Sequence, residues 1–243
     1  MVRVLKDNDA QNREKFLERL AKKADRPRHT LTADPFLPLN DLPETTLADK
    51  TPEELLELAQ VNSEKIHVEF KRATTATLGG LLDEYLIQKK AKSLLLPSFK
   101  ANKWAEYGLS TWKEHLALEK VYTWKEALGR ENLENANKSD VALGFADYLL
   151  AESGTITAAS TKEQGRSFHF LPTHYVALVK KSTILPRMRH AIDRYEQALQ
   201  QGTLKTSNIN FITGPSNSGD IEMVLIVGVH GPLDMTYVVL EDL

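Results

Sequence analysis

Hydrophobic and polar positions alternate with two different periods along the chain, and each period predicts a different element. From Asp9 to Ala24, the residues Phe16, Leu20 and Ala24 recur every four positions among charged neighbours. That spacing predicts a short amphipathic helix, either a surface-packed arm or a partner-binding helix. Arg26 to Pro52 carries five prolines and should be an extended, irregular connector. It either wraps the main domain, anchored in the core by Phe36, Leu37 and Leu39, or is a flexible linker. Thr51-Pro52-Glu53-Glu54 then reads as a capping box with proline in the first turn. Leu55, Leu58, Asn62, Ile66 and Phe70 continue it at helical spacing. A second helix is predicted over Thr75–Lys90, with an apolar stripe of Leu78, Leu81, Leu82, Tyr85 and Leu86.

Beyond this point short strands and helices alternate. Strands are predicted at Ser93–Pro97, Lys120–Thr123, His174–Val179, Asn208–Thr213 and Met235–Leu240. Helices are predicted at Trp112–Leu118, at Ser139–Ala146, at Ile184–Leu199, and at Ser218–Val227 with Ser218 as cap. Asp147–Ala151 and Thr155–Ala159 are two apolar runs around Glu152-Ser153-Gly154, either one bent strand or a hairpin. The alternation implies an α/β layer with a mostly parallel, Rossmann-like central sheet flanked by helices. The expected organisation is an N-terminal helix and connector over residues 1–50, followed by an α/β domain over residues 51–243.

Composition removes several kinds of chemistry. Among 243 residues there is no cysteine. The chain therefore has no disulfide, catalytic thiol or thiolate zinc site, and it holds no Cys-ligated iron–sulfur cluster. A formal net charge of -2 gives no general pull toward nucleic acid or an anionic membrane. The longest apolar stretches, such as Met223–Val229, are far short of a bilayer span. The N-terminus lacks the apolar region of a secretory signal, so a cytoplasmic location is expected.

Three segments are richer in polar and glycine residues than packing requires. In Ala151-Glu152-Ser153-Gly154-Thr155, Glu152 is a candidate nucleophile or base, or else the acceptor of a turn. Gly214-Pro215-Ser216-Asn217-Ser218-Gly219-Asp220 matches neither a P-loop nor GxGxxG. Asp220 and Glu222 would oppose a phosphate at a helix start, which favours capping there over an anion cradle. In Gly228-Val229-His230-Gly231-Pro232, Gly228 is expected to end a helix. His230 is then a candidate acid/base or ligand group, or else a side chain that stabilises the loop by bonding backbone carbonyls. His174, His230 and Glu152 have no metal-ligand spacing, so no metal site is expected. His190, with Arg187 and Arg194, reads either as a solvated helix face or as a surface that meets an acidic partner. Trp104, Trp112 and Trp124 read as packing anchors.

These segments carry a resemblance. Gly214-Pro215-Ser216 with Ser218, Asp220, Ile221 and Glu222, followed by Gly228-Val229-His230-Gly231-Pro232, resembles the signature of the LUD-domain (lactate utilization) family. Ala151–Thr155 resembles the family's A-E-T-G-T, with Ser153 in place of threonine. Leu171-Pro172 and His174 resemble its LP-x-H segment. The resemblance covers about the last 190 residues. It implies a fold similar to the NagB/RpiA/CoA-transferase group. It also implies a part in oxidising L-lactate to pyruvate beside two partner proteins that carry iron–sulfur clusters, with no cofactor bound by this chain. Ligand contacts would then come from Gly154, Thr155, His174, Gly214, Pro215, Ser216, Ser218, Asp220 and Gly231. The alternative is a stand-alone enzyme of CoA-transferase or sugar-phosphate-isomerase type, with Glu152 as nucleophile or base and His230 as acid.

Overall fold

The computed structural model describes residues 2–28, 39–219, 225–228 and 230–243. The chain divides into two compact units, Met1–Asp41 and Leu42–Leu243. In the first, helix α1 spans Val2–Lys23. It exposes Phe16 and Leu20. Leu39 is fully exposed, contrary to its expected anchoring role. Phe36 and Leu37 lie outside the described residues.

The second unit starts with a single turn, α2 (Leu42–Thr45), and then α3 (Pro52–Lys65). The capping box forms as predicted. Thr51 Oγ1 accepts the Glu54 N–H at 3.2 Å, and Glu54 Oε2 accepts the Thr51 N–H at 2.8 Å. The helix does not run on to Phe70, however. His67 adopts a left-handed φ of 64°, which ends it, and Phe70 belongs to strand β1 (Val68–Ala73). There follow α4 (Leu78–Gln88), β2 (Ser93–Leu96), α5 (Ala101–Glu106), α6 (Ser110–Glu114) and β3 (Lys120–Thr123). Next come α7 (Glu131–Asn137), β4 (Val141–Phe145), β5 (Tyr148–Leu150), β6 (Thr155–Ala159) and β7 (His174–Lys180). The chain ends with β8 (Ile184–Leu185), α8 (Met188–Gln200), β9 (Ile209–Ile212), β10 (Asn217–Gly219), β11 (Leu225–Val227) and β12 (Asp234–Leu240).

Six strands form one all-parallel sheet in the order β1-β12-β7-β4-β2-β3. A four-stranded mixed sheet, β8-β5-β6-β9, lies beside it, and β10 and β11 pair as an antiparallel ribbon. One face of the parallel sheet packs on α4 and α5 through Leu82, Tyr85, Trp104, Leu143, Leu178 and Val238. The other face packs on α3 and the mixed sheet through Leu56, Ala59, Leu149, Ile156, Ala177 and Tyr237. Helix α8 covers the far side of the mixed sheet with Ala191 and Tyr195. Trp104 and Trp124 are core residues, and Trp112 donates to Asp83 at 2.7 Å.

Three sequence expectations are corrected. Ser139–Ala146 is not a helix but contains the central strand β4. All five of its residues are buried because both faces of the sheet are covered, which erases the alternation that marks a half-exposed strand. The predicted helix at Ile184 starts only at Met188, because Pro186 holds Leu185 extended. At both ends of the predicted helix Ser218–Val227 the chain forms the β10–β11 ribbon instead, with Ser218 opposite Ile226, and residues 220–224 between them lie outside the described residues. Ser218 is therefore a strand residue and caps no helix, and Gly228 follows a strand instead of ending a helix.

Candidate functional site

The motif segments gather at the amino edge of the parallel sheet, not at the carboxyl edge where ligands of open α/β sheets usually bind. Glu152, Ser153 and Gly154 form the tight turn of the β5–β6 hairpin. Gly154 has a φ of 66°, and a Cβ there would lie 2.7 Å from the Ser63 backbone. Only glycine lets this turn press against α3. Asn62 secures it by donating to the carbonyls of Ala151 at 2.8 Å and Glu152 at 3.0 Å.

A hydroxyl chain joins this turn to the next motif. Ser153 Oγ donates to Thr155 Oγ1 at 2.8 Å, and Thr155 Oγ1 lies 2.9 Å from Thr213 Oγ1. Gly214 follows with a φ of 76°, and a Cβ there would approach the Ile66 carbonyl to 2.5 Å. The second and third motifs then clasp each other. Ser216 N–H donates to the Pro232 carbonyl at 3.2 Å, and Gly228 N–H donates to the Ser216 carbonyl at 2.8 Å. Gly231 packs on Ser216, and Leu233 N–H donates to the Thr173 carbonyl at 2.8 Å. The next residue on each side, Asp234 and His174, opens β12 and β7.

His174 Nδ1 lies 2.9 Å from Asp234 Oδ2, and Lys89 Nζ lies 2.7 Å from the same oxygen. Burial disfavours ionisation of Asp234, but the hydrogen bonds and charges of His174 and Lys89 outweigh it and hold the carboxyl below its ordinary range. Asp140, just before β4, faces the same edge. Burial again opposes ionisation, and donors from Lys92 and Ser93 together with the His174 ring hold this carboxyl low as well. The result is an imidazole seated between two carboxylates.

The arrangement treats the sequence candidates differently. Gly154, Thr155, Gly214, Ser216, Gly231 and His174 are brought into one continuous edge. Pro215 is buried within it. Glu152, the candidate nucleophile or base, is exposed. Its side chain is 40% exposed and its Oε2 accepts from Arg187 Nε at 3.0 Å. His230 is exposed, and among the described residues no hydrogen bond or ion pair joins it to Glu152, whose carboxylate pairs with Arg187. Asp220 lies outside the described residues. Arg187, expected on a solvated helix face, instead ties Glu152 to the Leu42 carbonyl, which it reaches with Nη1 at 2.8 Å. Sequence reasoning missed Asp234, Lys89, Asn62, Arg187 and Thr213. Asp234 alone had a local signal, a carboxylate two residues after the Gly231-Pro232 turn. Among the described residues no group of three His, Cys, Asp or Glu side chains is arranged to hold a metal ion.

Residues 56–240 match the model of the LUD domain. The chain belongs to the LUD-domain family. Its relatives include proteins named lactate utilization protein C. The protein of that name from Geobacillus kaustophilus is 40% identical over 237 residues, covering 95% of this chain and 97% of the relative. Those from Geobacillus thermodenitrificans and Oceanobacillus iheyensis are 37% and 38% identical, with 96% and 95% of this chain covered and 97% and 98% of theirs. The fold is also similar to the crystal structure of a DUF162 family protein from Deinococcus radiodurans. That match has a TM-score of 0.56 at 15% identity, over 79% of this chain and 99% of that one. The edge assembled from Ala151–Thr155, Thr213–Ser216 and Gly228–Asp234 is thus part of a LUD domain. Among the described residues of this domain, no helix is long and apolar enough to cross a membrane.

Proposed function

We propose that this chain is a component of an L-lactate utilization system, supporting oxidation of L-lactate to pyruvate together with iron–sulfur partner proteins. The observation that carries the reading is its near full-length similarity to lactate utilization protein C. Oxidising L-lactate to pyruvate releases two electrons and two protons. A chain without cysteine offers no thiolate relay for the electrons, so clusters on partner chains receive them. The part left to this chain is to bind, orient and assemble. The motif edge suits that part, because it is built of packed turns and fixed hydrogen-bond donors and acceptors. Glu152, held by Arg187, serves there as an anchored surface charge that a partner or ligand can read.

The test is complementation. The gene is placed in a bacterium whose own lactate utilization protein C has been deleted, and growth on L-lactate is followed. Growth is expected to return with this chain, and to need the iron–sulfur partners. Failure to restore growth despite normal expression overturns the reading. So does lactate turnover by the purified chain with an artificial electron acceptor and no partner.

A further inference from the structure

The opposite, carboxyl edge of the parallel sheet carries a second feature. The chain leaving β2 turns outward through α5 to the edge strand β3, whereas the chain leaving β4 turns the other way, through Asp147 into β5. Connections that diverge from neighbouring strands open a crevice between them, which is where open α/β sheets take their ligands. A cavity of about 290 Å³ lies there. Lys103 and Tyr107 from α5 and its end, Asp147 and Tyr148 after β4, Lys180 at the end of β7, and Tyr195 of α8 line it.

The charges in this crevice are unequal. Glu106 pairs with both Lys103, at 3.3 Å, and Lys180. Two ammonium groups therefore share one carboxylate, and both sit over the Tyr107 ring, at 5.1 and 5.6 Å from its centre. Asp147 is the second carboxyl. The residue is exposed to solvent, while β6 and α8 pack closely against one side of its carboxyl. That crowding pushes its pKa up. Its Oδ2 accepts the Ala159 N–H at 2.7 Å and the Tyr195 hydroxyl at 2.8 Å. Among the described residues, Oδ1 has no hydrogen-bond partner. The crevice thus offers surplus positive charge on one wall and a fixed carboxyl oxygen on its floor, in a volume at the small end for organic ligands.

We propose that this crevice binds a small carboxylate with a hydroxyl on the adjacent carbon, its carboxylate against Lys103 and Lys180 and its hydroxyl donating to Asp147. That L-lactate is an occupant rests on the functional reading above, whereas the carboxylate site itself rests on the crevice.

The test is titration of the full chain by calorimetry with L-lactate, pyruvate, acetate and inorganic phosphate. Saturable binding of L-lactate is expected, tighter than that of pyruvate, acetate or phosphate. Lys103→Met and Lys180→Met should each weaken it at least tenfold. Asp147→Asn should narrow the difference between L-lactate and acetate. Ala198→Phe fills the crevice from α8 while leaving every charge in place, so it keeps the test valid if a lysine variant melts early. No saturable binding of any carboxylate overturns the proposal, as does binding that Ala198→Phe leaves unchanged. Binding in a chain that fails complementation sinks the lactate reading and leaves the carboxylate site standing.

Discussion

His174 Nδ1 and Asp234 Oδ2 lie 2.9 Å apart, across the paired first residues of β7 and β12. The parallel register sets this pair, because the strands start level and carry the two side chains on the same side. Lys89 reaches the same carboxylate oxygen from just past the end of α4. One carboxylate therefore ties two strands and a helix together at the edge where the family motifs meet.

Asp234→Asn should loosen that edge. The folded carboxyl is held below its ordinary value of 3.8, so its stabilisation is fully present above that value. It fades as pH falls through the lower folded value. Urea melts at neutral pH should show a loss of about 1–2 kcal/mol, discounted for partial exposure. The gap between variant and parent should close in strong acid. A gap of constant size at all pH values would show that the ion pair is not its source.

The sequence made parts of this arrangement legible, and physics explains which. The capping box at Thr51 and Glu54 was readable because both partners are local. The buried strand His174–Lys180 was readable because its β-branched, apolar run sits between clear turns. The hairpin at Glu152–Gly154 was readable as one of two alternatives. β4 was not, because complete burial leaves the same apolar continuity as a buried helix. The β10–β11 ribbon failed for a related reason: the short apolar run near Leu225–Val227 satisfies both periods, and only long-range pairing decides. For the site, the motif residues were found, but their location was not. His174 meets Asp234 at a sequence separation of 60 through strand register, which no local spacing encodes.

Gly154→Ala should be much more costly than Gly202→Ala. Both glycines have φ near +70°, so both substitutions carry the left-handed penalty of about 1–2 kcal/mol. At Gly202 an added Cβ meets open space, whereas at Gly154 it meets the Ser63 backbone at 2.7 Å. Overpacking against backbone adds about 1–3 kcal/mol at Gly154 alone. Chemical denaturation of the two variants measures the difference. Equal losses would mean that α3 gives way and that the turn is not pinned.

Thr155→Val should break the hydroxyl chain between the two motif turns. Thr155 Oγ1 both receives from Ser153 and pairs with Thr213, and the residue is buried. Valine keeps the volume and removes both hydrogen bonds, and because Ser153 is only half-buried and Thr213 is exposed, the cost is about 0.5–1.5 kcal/mol. Thr155→Ser retains the hydroxyl and should recover most of the loss in the same melts. A serine variant as unstable as the valine one would assign the effect to the methyl group.

Asp147→Asn should act with the opposite sign to Asp234→Asn. Crowding by protein raises the folded pKa of Asp147 above its ordinary value of 3.8, so the native state resists the ionised form. Above the folded pKa the charge is a standing cost to stability, and below 3.8 both states hold the proton and the cost vanishes. Asparagine removes the charge and still offers a carbonyl oxygen to the Ala159 N–H and the Tyr195 hydroxyl. The variant should therefore melt at or above the parent temperature at neutral pH, and the two curves should converge in acid. A variant that melts lower at neutral pH would mean that the carboxylate charge is being used in the fold, and the surplus positive charge of Lys103 and Lys180 would be its partner.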